Sequence, residues 1–239
     1  MLRLDQVAVR RGRTVTLEDI TLTLQPGKTL AVVGESGAGK STLIAAILGL
    51  LRPWRGTITW DGAPVRACRP ALVMQEPRAA FNPVLSLRQS VMEPVAKGVA
   101  SNSRVQRLCE GLEIPVEILD RRPDAVSIGQ AQRVGILRAL MAAPPLVLLD
   151  EPLSALDAVS QKHTARLIAE LQRKESFAAL IVTHDLGYAV AHADTIAVLK
   201  AGRIEAVTTP GRFAAAPATA YCRALRDAAI SLGALDAVP

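Results

Sequence analysis

Residues 34–41, Gly-Glu-Ser-Gly-Ala-Gly-Lys-Ser, carry two glycines with four residues between them, followed by Lys and Ser, which is the phosphate-loop spacing. With glycine near 7% of ordinary composition, such a match arises by chance in about one chain per hundred of this length. The flanks narrow the reading. Residues 29–33 are short, apolar and β-branched, as a buried strand requires, and residues 42–51 read as a helix. The glycines therefore sit at a strand-to-helix turn, and the fold class expected around them is α/β.

That placement supplies the chemistry. Gly34, Gly37 and Gly39 tolerate positive φ and let backbone N–H groups approach an anion, while the helix start adds roughly half a positive charge. The segment Gly34, Glu35, Ser36, Gly37, Ala38, Gly39, Lys40, Ser41 and Thr42 is thus the expected polyphosphate cradle. Lys40 is expected to reach the β- and γ-phosphates and the Ser41 hydroxyl to join the shell of a Mg²⁺ ion.

A second motif is independent of the first. Residues 146–149, Leu-Val-Leu-Leu, read as a buried strand ending in Asp150 and Glu151. A carboxylate at the C-terminal edge of a strand beside a phosphate loop can hold Mg²⁺ through water, the role expected of Asp150. Glu151, one residue beyond, can polarise a water aligned on the γ-phosphate without competing for the metal, so it is the candidate base.

Four further stretches resemble the motifs of ATP-binding cassette (ABC) proteins. Val126-Ser-Ile-Gly-Gln130 resembles the family signature, usually Leu-Ser-Gly-Gly-Gln; Ser154-Ala-Leu-Asp157 resembles its D-loop; Val182-Thr-His-Asp185 resembles its switch histidine; Met74-Gln75 fits its Q-loop. They follow the family's order and spacing along essentially the whole chain, which is identified as an ABC transporter ATPase subunit. The resemblance implies a P-loop NTPase cassette with a RecA-like core, an antiparallel β subdomain and an inserted α-helical subdomain. It also implies ATP and Mg²⁺ as cofactors.

The resemblance assigns roles that the residue chemistry supports. The Gln75 amide can contact Mg²⁺ and the attacking water without a charge that would trap the metal. His184 can donate to the γ-phosphate while holding Glu151 and the water in register, which a neutral imidazole is expected to do. The other histidines, His163 and His192, fall in no motif. In this family two cassettes dimerise head to tail, so Ser127, Gly129 and Gln130 are expected to cap the nucleotide held by the partner's phosphate loop.

Two departures stand out. Ile128 replaces the first signature glycine. Either it must adopt a positive φ that a β-branched residue resists, slowing one composite site, or it sits at a helix start where it is tolerated. The family also places an aromatic ring after the first strand to stack on adenine, yet Val9-Arg-Arg-Gly-Arg-Thr-Val15 has none. Arg10 or Arg11 can stack a guanidinium plane there instead, or the arginines are a solvated turn.

Composition bounds the class. The chain has 239 residues, 50% of them hydrophobic, and a mean hydropathy of +0.26. Even so, the richest stretch, residues 134–149, contains Arg138 and Pro144-Pro145, so no transmembrane helix is expected. The first residues carry no secretory apolar segment. The location expected is the cytoplasmic face of the inner membrane, held there peripherally by permease subunits. Cys68, Cys109 and Cys222 form an odd set without close pairing, so reduced thiols are expected. The net charge of +6 comes from scattered arginines without interleaved aromatics, which favours an anionic lipid surface over nucleic acid.

One ABC domain is expected over residues 1–239. Residues 1–83 and 144–210 form the nucleotide-binding core with the β subdomain, 84–143 the helical subdomain and 211–239 a C-terminal tail. Strands are expected near 2–9 and 17–24, a hairpin-like segment at 56–62 with an Asp-Gly turn, then strand 146–150, helix 158–174, strand 178–183, helix 186–192, and strands 195–199 and 203–207. Phe81 and Pro83 lie where the family forms its groove for a permease coupling helix. They are either an anchor for that helix or core residues.

Substrate is approached only through subfamily resemblance. Residues 75–83, Gln-Glu-Pro-Arg-Ala-Ala-Phe-Asn-Pro, and 216–225, Ala-Pro-Ala-Thr-Ala-Tyr-Cys-Arg-Ala-Leu, look like stretches of the peptide and nickel importer group. The wording of the first, and a chain that stops at Pro239, look most like the nickel or metal–chelate branch, with di- or oligopeptide import as the alternative. The expected partners are a second ABC ATPase subunit, as homo- or heterodimer, permease subunits and, indirectly, a solute-binding protein. Cassettes that act on DNA or ribosomes carry coiled coils or a second fused cassette, for which this chain has no room. A low-activity partner cassette is the remaining rival, opposed by Lys40, Asp150, Glu151 and His184.

Overall fold

The computed structural model describes residues 1–95 and 102–235. Along them run β1 (Leu2–Arg11), β2 (Thr14–Leu24), β3 (Thr29–Val33), α1 (Lys40–Ile47), β4 (Arg55–Trp60), β5 (Ala63–Pro64) and β6 (Ala71–Val73). Then come α2 (Leu87–Met92), α3 (Asn102–Gly111), α4 (Ile128–Leu140), β7 (Leu146–Asp150), α5 (Ala158–Glu175), β8 (Ala178–Thr183) and α6 (Leu186–His192). The chain continues with β9 (Thr195–Lys200), β10 (Arg203–Thr208), α7 (Pro210–Ala215) and α8 (Ala220–Ser231).

Among the described residues the strands form two sheets. One is antiparallel, in the order β2-β1-β4-β5. The other runs β10-β9-β3-β8-β7-β6, parallel from β9 to β6, with β10 antiparallel at its edge. Successive side chains of a strand face opposite ways, and that alternation builds the layers. Leu30 and Val32 of β3, Leu146 and Leu148 of β7, and Leu180 and Val182 of β8 pack with α1 and the antiparallel sheet. Their neighbours Val147, Leu149, Ala179 and Ile181 turn to the other face, against α4 and α5. Ala31 and Val33 pack with α6, α7 and α8. Burying each such Val, Leu or Ile stabilises the fold by about 1.5–3 kcal/mol relative to exposure.

The element map departs from the sequence reading in the first helix, in β6 and in the tail, and agrees with it in the helical region 84–143. The first helix spans Lys40–Ile47 and closes in a turn at 48–51, because Gly49 takes φ 74°. β6, three residues long, escapes sequence notice yet closes the parallel sheet. The tail contains two helices, α7 and α8, each capped by a threonine hydroxyl, Thr209 and Thr219. The region 84–143 holds α2, α3, α4 and two 3₁₀ turns, while residues 96–101 of that region and 236–239 of the tail lie outside the described residues.

Candidate active site

Four adjacent strands, in the order β3-β8-β7-β6, deliver the site from their C-terminal ends. β3 leads into the phosphate loop, β8 ends at Thr183 before His184, β7 ends at Asp150 before Glu151, and β6 is followed by Met74 and Gln75. Parallel register keeps these ends level, with Val33 opposite Thr183 and Asp150 opposite Val182. The crevice beyond the carboxyl ends of parallel strands is the usual ligand position in such sheets. Here a cleft of about 610 Å³ is lined by Arg11, Ser36, Gly37, Gly39, Lys40, Ser41, Thr42, Gln75, Asp150, Glu151 and His184. The catalytic and metal-binding residues expected from sequence thus share one cavity with most of the phosphate loop.

Close packing explains two of the loop's glycines, and a φ of +81° the third, Gly37. A Cβ on Gly34 would lie 2.1 Å from the Leu199 carbonyl oxygen, and one on Gly39, at φ +112°, would lie 2.7 Å from Leu17 Cδ2. Lys40 Nζ donates to the carbonyls of Gly34 (2.8 Å) and Glu35 (3.0 Å), folding the loop around its own ammonium. Gly34, Glu35 and Ala38 shape this turn without lining the cleft. The Ala38 N–H is occupied by the Glu35 carbonyl at 3.2 Å, and its methyl belongs to the core.

The carboxylates are placed by backbone geometry. Glu151 takes φ 47°, a left-handed conformation costly for a side chain with a Cβ, which turns it off the strand end. Its Oε1 lies 2.9 Å from His184 Nδ1, and its Oε2 accepts from Thr183 Oγ1 at 3.2 Å and from the His184 N–H at 3.4 Å. Thr183, 3% exposed, also accepts the Asp185 N–H at 3.0 Å. This buried threonine was missed in sequence reasoning. Burial, followed by the neighbouring charge of Glu151, pushes the Asp150 carboxyl above the ordinary carboxylate range, partly offset by Lys40.

The His184 contact refines its expected role. A neutral imidazole that donates Nδ1–H to Glu151 has only an acceptor left at Nε2. Holding Glu151 and donating to a phosphate together requires the doubly protonated ring. His163 pairs with Glu113 at 2.9 Å and His192 packs against Tyr188 with the rings tilted by 49° and their centroids 5.0 Å apart, so both have structural partners.

The signature residues stand apart from this cleft. Ser127 caps α4, its Oγ accepting from the Gln130 N–H at 3.1 Å, and Gln130 Oε1 accepts the Ser127 N–H at 2.9 Å. This capping box leaves the Ser127 O–H and the Gln130 NH₂ able to donate outward. Ile128 is the first residue of α4, 45% exposed, and is absent from the positive-φ residues, so of the two alternatives it is the helix start that the backbone adopts. Asp157 of the D-loop caps α5 through the N–H groups of Val159 and Ser160.

The arginine turn also resolves. Arg10 lies over the Trp54 ring at 4.1 Å, whereas Arg11 lines the cleft. Phe81 is buried in the core, 5% exposed, with Arg138 over its ring at 5.4 Å; the core reading therefore holds and the anchor reading does not. Pro83 remains exposed. The three cysteines are unpaired.

Comparison with known proteins places this geometry in context. The pattern describing ABC transporters matches residues 17–154. The chain is 34% identical over 224 residues to the Fe(3+) ions import ATP-binding protein FbpC 2 of Rhodococcus jostii, covering 90% of this chain and 64% of that protein. It therefore spans less than two thirds of the length of that relative. It is 36% identical over 203 residues to the nickel import ATP-binding protein NikE of Escherichia coli (79% and 76% covered) and 33% over 228 residues to the oligopeptide transport ATP-binding protein OppF of the same organism (89% and 68%). Among solved structures, cbiO1 from Clostridium perfringens, part of the ABC transporter complex cbiONQ, superposes with a TM-score of 0.81 at 25% identity, covering 97% and 95% of the two chains. The dimeric cassette MJ0796 bound to ADP and Pi superposes with a TM-score of 0.78 at 26% identity, covering 88% and 99%.

Proposed function

This chain belongs to the ABC transporter family, and on that premise we propose that it is the ATP-hydrolysing subunit of a membrane importer for nickel or a metal–chelate. The observation that carries the catalytic part is the convergence of Lys40, Ser41, Gln75, Asp150, Glu151 and His184 on one cleft. Lys40 and the loop N–H groups bind the β- and γ-phosphates. Glu151, aimed by Thr183 and His184, takes a proton from the attacking water. Arg11, rather than Arg10, is the guanidinium available to the base.

Mg²⁺ fits the donors in this cleft. The Ser41 hydroxyl, Gln75 amide oxygen and Asp150 carboxylate are hard oxygen ligands, and a cation relieves the cost of keeping Asp150 ionised beside Glu151. When bound, the ion neutralises charge on the β- and γ-phosphates. The chain's residues then hold the phosphates, orient the water and receive its proton.

A second cassette completes the reading. A Cβ on Gly129 would meet only Leu156 Cδ2, at 3.8 Å, so packing within the chain does not require that glycine. A partner's nucleotide approaching from outside would explain it. In this reading the permeases anchor the assembly at the cytoplasmic face of the inner membrane; among the described residues no helix is long and apolar enough to cross one. Arg138 also lines a largely apolar cleft of about 620 Å³ with Leu72, Pro94, Val95, Ala139 and Met141, a seat for a permease helix in place of the buried Phe81.

The nickel reading is supported by residues 75–83 and by the nickel importer among the relatives, although oligopeptide and iron importers stand close to it. The test is uptake of radioactive nickel, free and chelated, and of labelled dipeptide by cells carrying this chain with its permeases. Lys40→Ala should abolish uptake of nickel or its chelate. Dipeptide uptake alone would reassign the substrate.

A further inference from the structure

The short segment that leaves β6 ties the cleft to the start of α4. Gln75 lines the cleft, Pro77 is buried, and Arg78–Ala80 forms one 3₁₀ turn. Arg78 Nη2 donates to the Val126 carbonyl at 2.6 Å, and Val126 immediately precedes Ser127, the cap of α4. From the opposite direction, Arg138, about three turns along α4, donates Nη1 to the Ala80 carbonyl and lies over Phe81.

We propose that Arg78 is a positioning residue that, with Arg138, clamps this segment along α4 so that displacement of Gln75 by nucleotide moves Ser127 and Gly129. The inference rests on the ATP-binding reading above. One bond would let the segment pivot against the helix. Two guanidinium–carbonyl bonds at separate points along α4 fix its direction as well as its position. Pro77 removes slack between Gln75 and Arg78, because its φ is locked. Val126, with its buried side chain, carries the movement to the cap rather than swinging free. Loss of Arg78 leaves the Arg138 end attached and frees the end nearest the signature.

Hydrogen exchange on the full chain tests this, at a dilution where light scattering shows only monomer and with Mg²⁺ plus a non-hydrolysable ATP analogue. In the wild type, the analogue should slow exchange at residues 36–42 and alter it at 127–131. In Arg78→Ala the change at 36–42 should persist while that at 127–131 falls at least fivefold, and Arg78→Lys, which can still donate to the carbonyl, should restore more than half. If residues 127–131 do not respond in the wild type, or respond equally in Arg78→Ala, the clamp is wrong while nucleotide binding stands. Without a response at 36–42, the nucleotide reading fails and takes the inference with it.

Discussion

Replacing Thr183 by Val separates the two duties of its hydroxyl. The variant keeps shape and burial but removes the bond to Glu151 Oε2 and the acceptor for the Asp185 N–H. A hydrogen bond to a charged group contributes about 1.5–3 kcal/mol, and a 3.2 Å O···O separation is long, so the lower end applies. If that bond holds Glu151 in its reactive position, kcat falls about tenfold with KM unchanged. The partly buried Asp185 N–H loses its acceptor at a cost of about 1 kcal/mol, lowering Tm by about 2–4 °C for a chain of this size. Steady-state phosphate release with the partner cassette and thermal unfolding read the two effects separately, and Thr183→Ser should restore both. A fallen Tm with kcat within twofold of wild type would refute the positioning argument and leave Thr183 as a strand-end cap.

Other perturbations probe the rest of the account. Gly34→Ala should weaken ATP binding at least tenfold, because its Cβ would meet the Leu199 carbonyl at 2.1 Å; an unchanged Kd by equilibrium titration would contradict the packing argument. Ile128→Gly should leave ATPase activity of the assembled dimer unraised and cost under about 1 kcal/mol of stability, since the residue is already helical; a twofold gain in turnover would revive the impaired-site idea. At pH 8 a thiol reagent should modify Cys68 slowly and leave Cys109 untouched, because burial pushes both thiols up, Cys109 to about 11, and holds them protonated. All three cysteines should react in denaturant, and fast native labelling of Cys109 would count against the packing of α3.

The phosphate loop and Asp150-Glu151 were legible because phosphate chemistry fixes residue type and spacing over a few positions. Contacts between distant segments were not. Thr183 reaches Glu151 across 32 residues, and only the parallel β7–β8 register brings them level. The capping role of Ser127 and Gln130 is written in the sequence, since a serine three residues before a glutamine is a helix-start pattern. Thr209-Pro210 and Thr219 offered similar signals for α7 and α8, obscured by an alanine-rich tail. β6 is too short for periodicity, and Phe81 packs inward among the buried apolar residues of the helical region, where burial of its ring is favourable.

The central claim, that this cleft hydrolyses ATP with Glu151 as base, is tested most directly by phosphate release from Glu151→Gln at saturating Mg-ATP, with nucleotide affinity measured on the same sample. The amide preserves shape but cannot take a proton, and general-base catalysis contributes about 10²–10⁴-fold. The account predicts a loss in that range with the ATP Kd within threefold of wild type and ATP-bound dimers accumulating. Turnover within fivefold of wild type, with ATP bound normally, would contradict it.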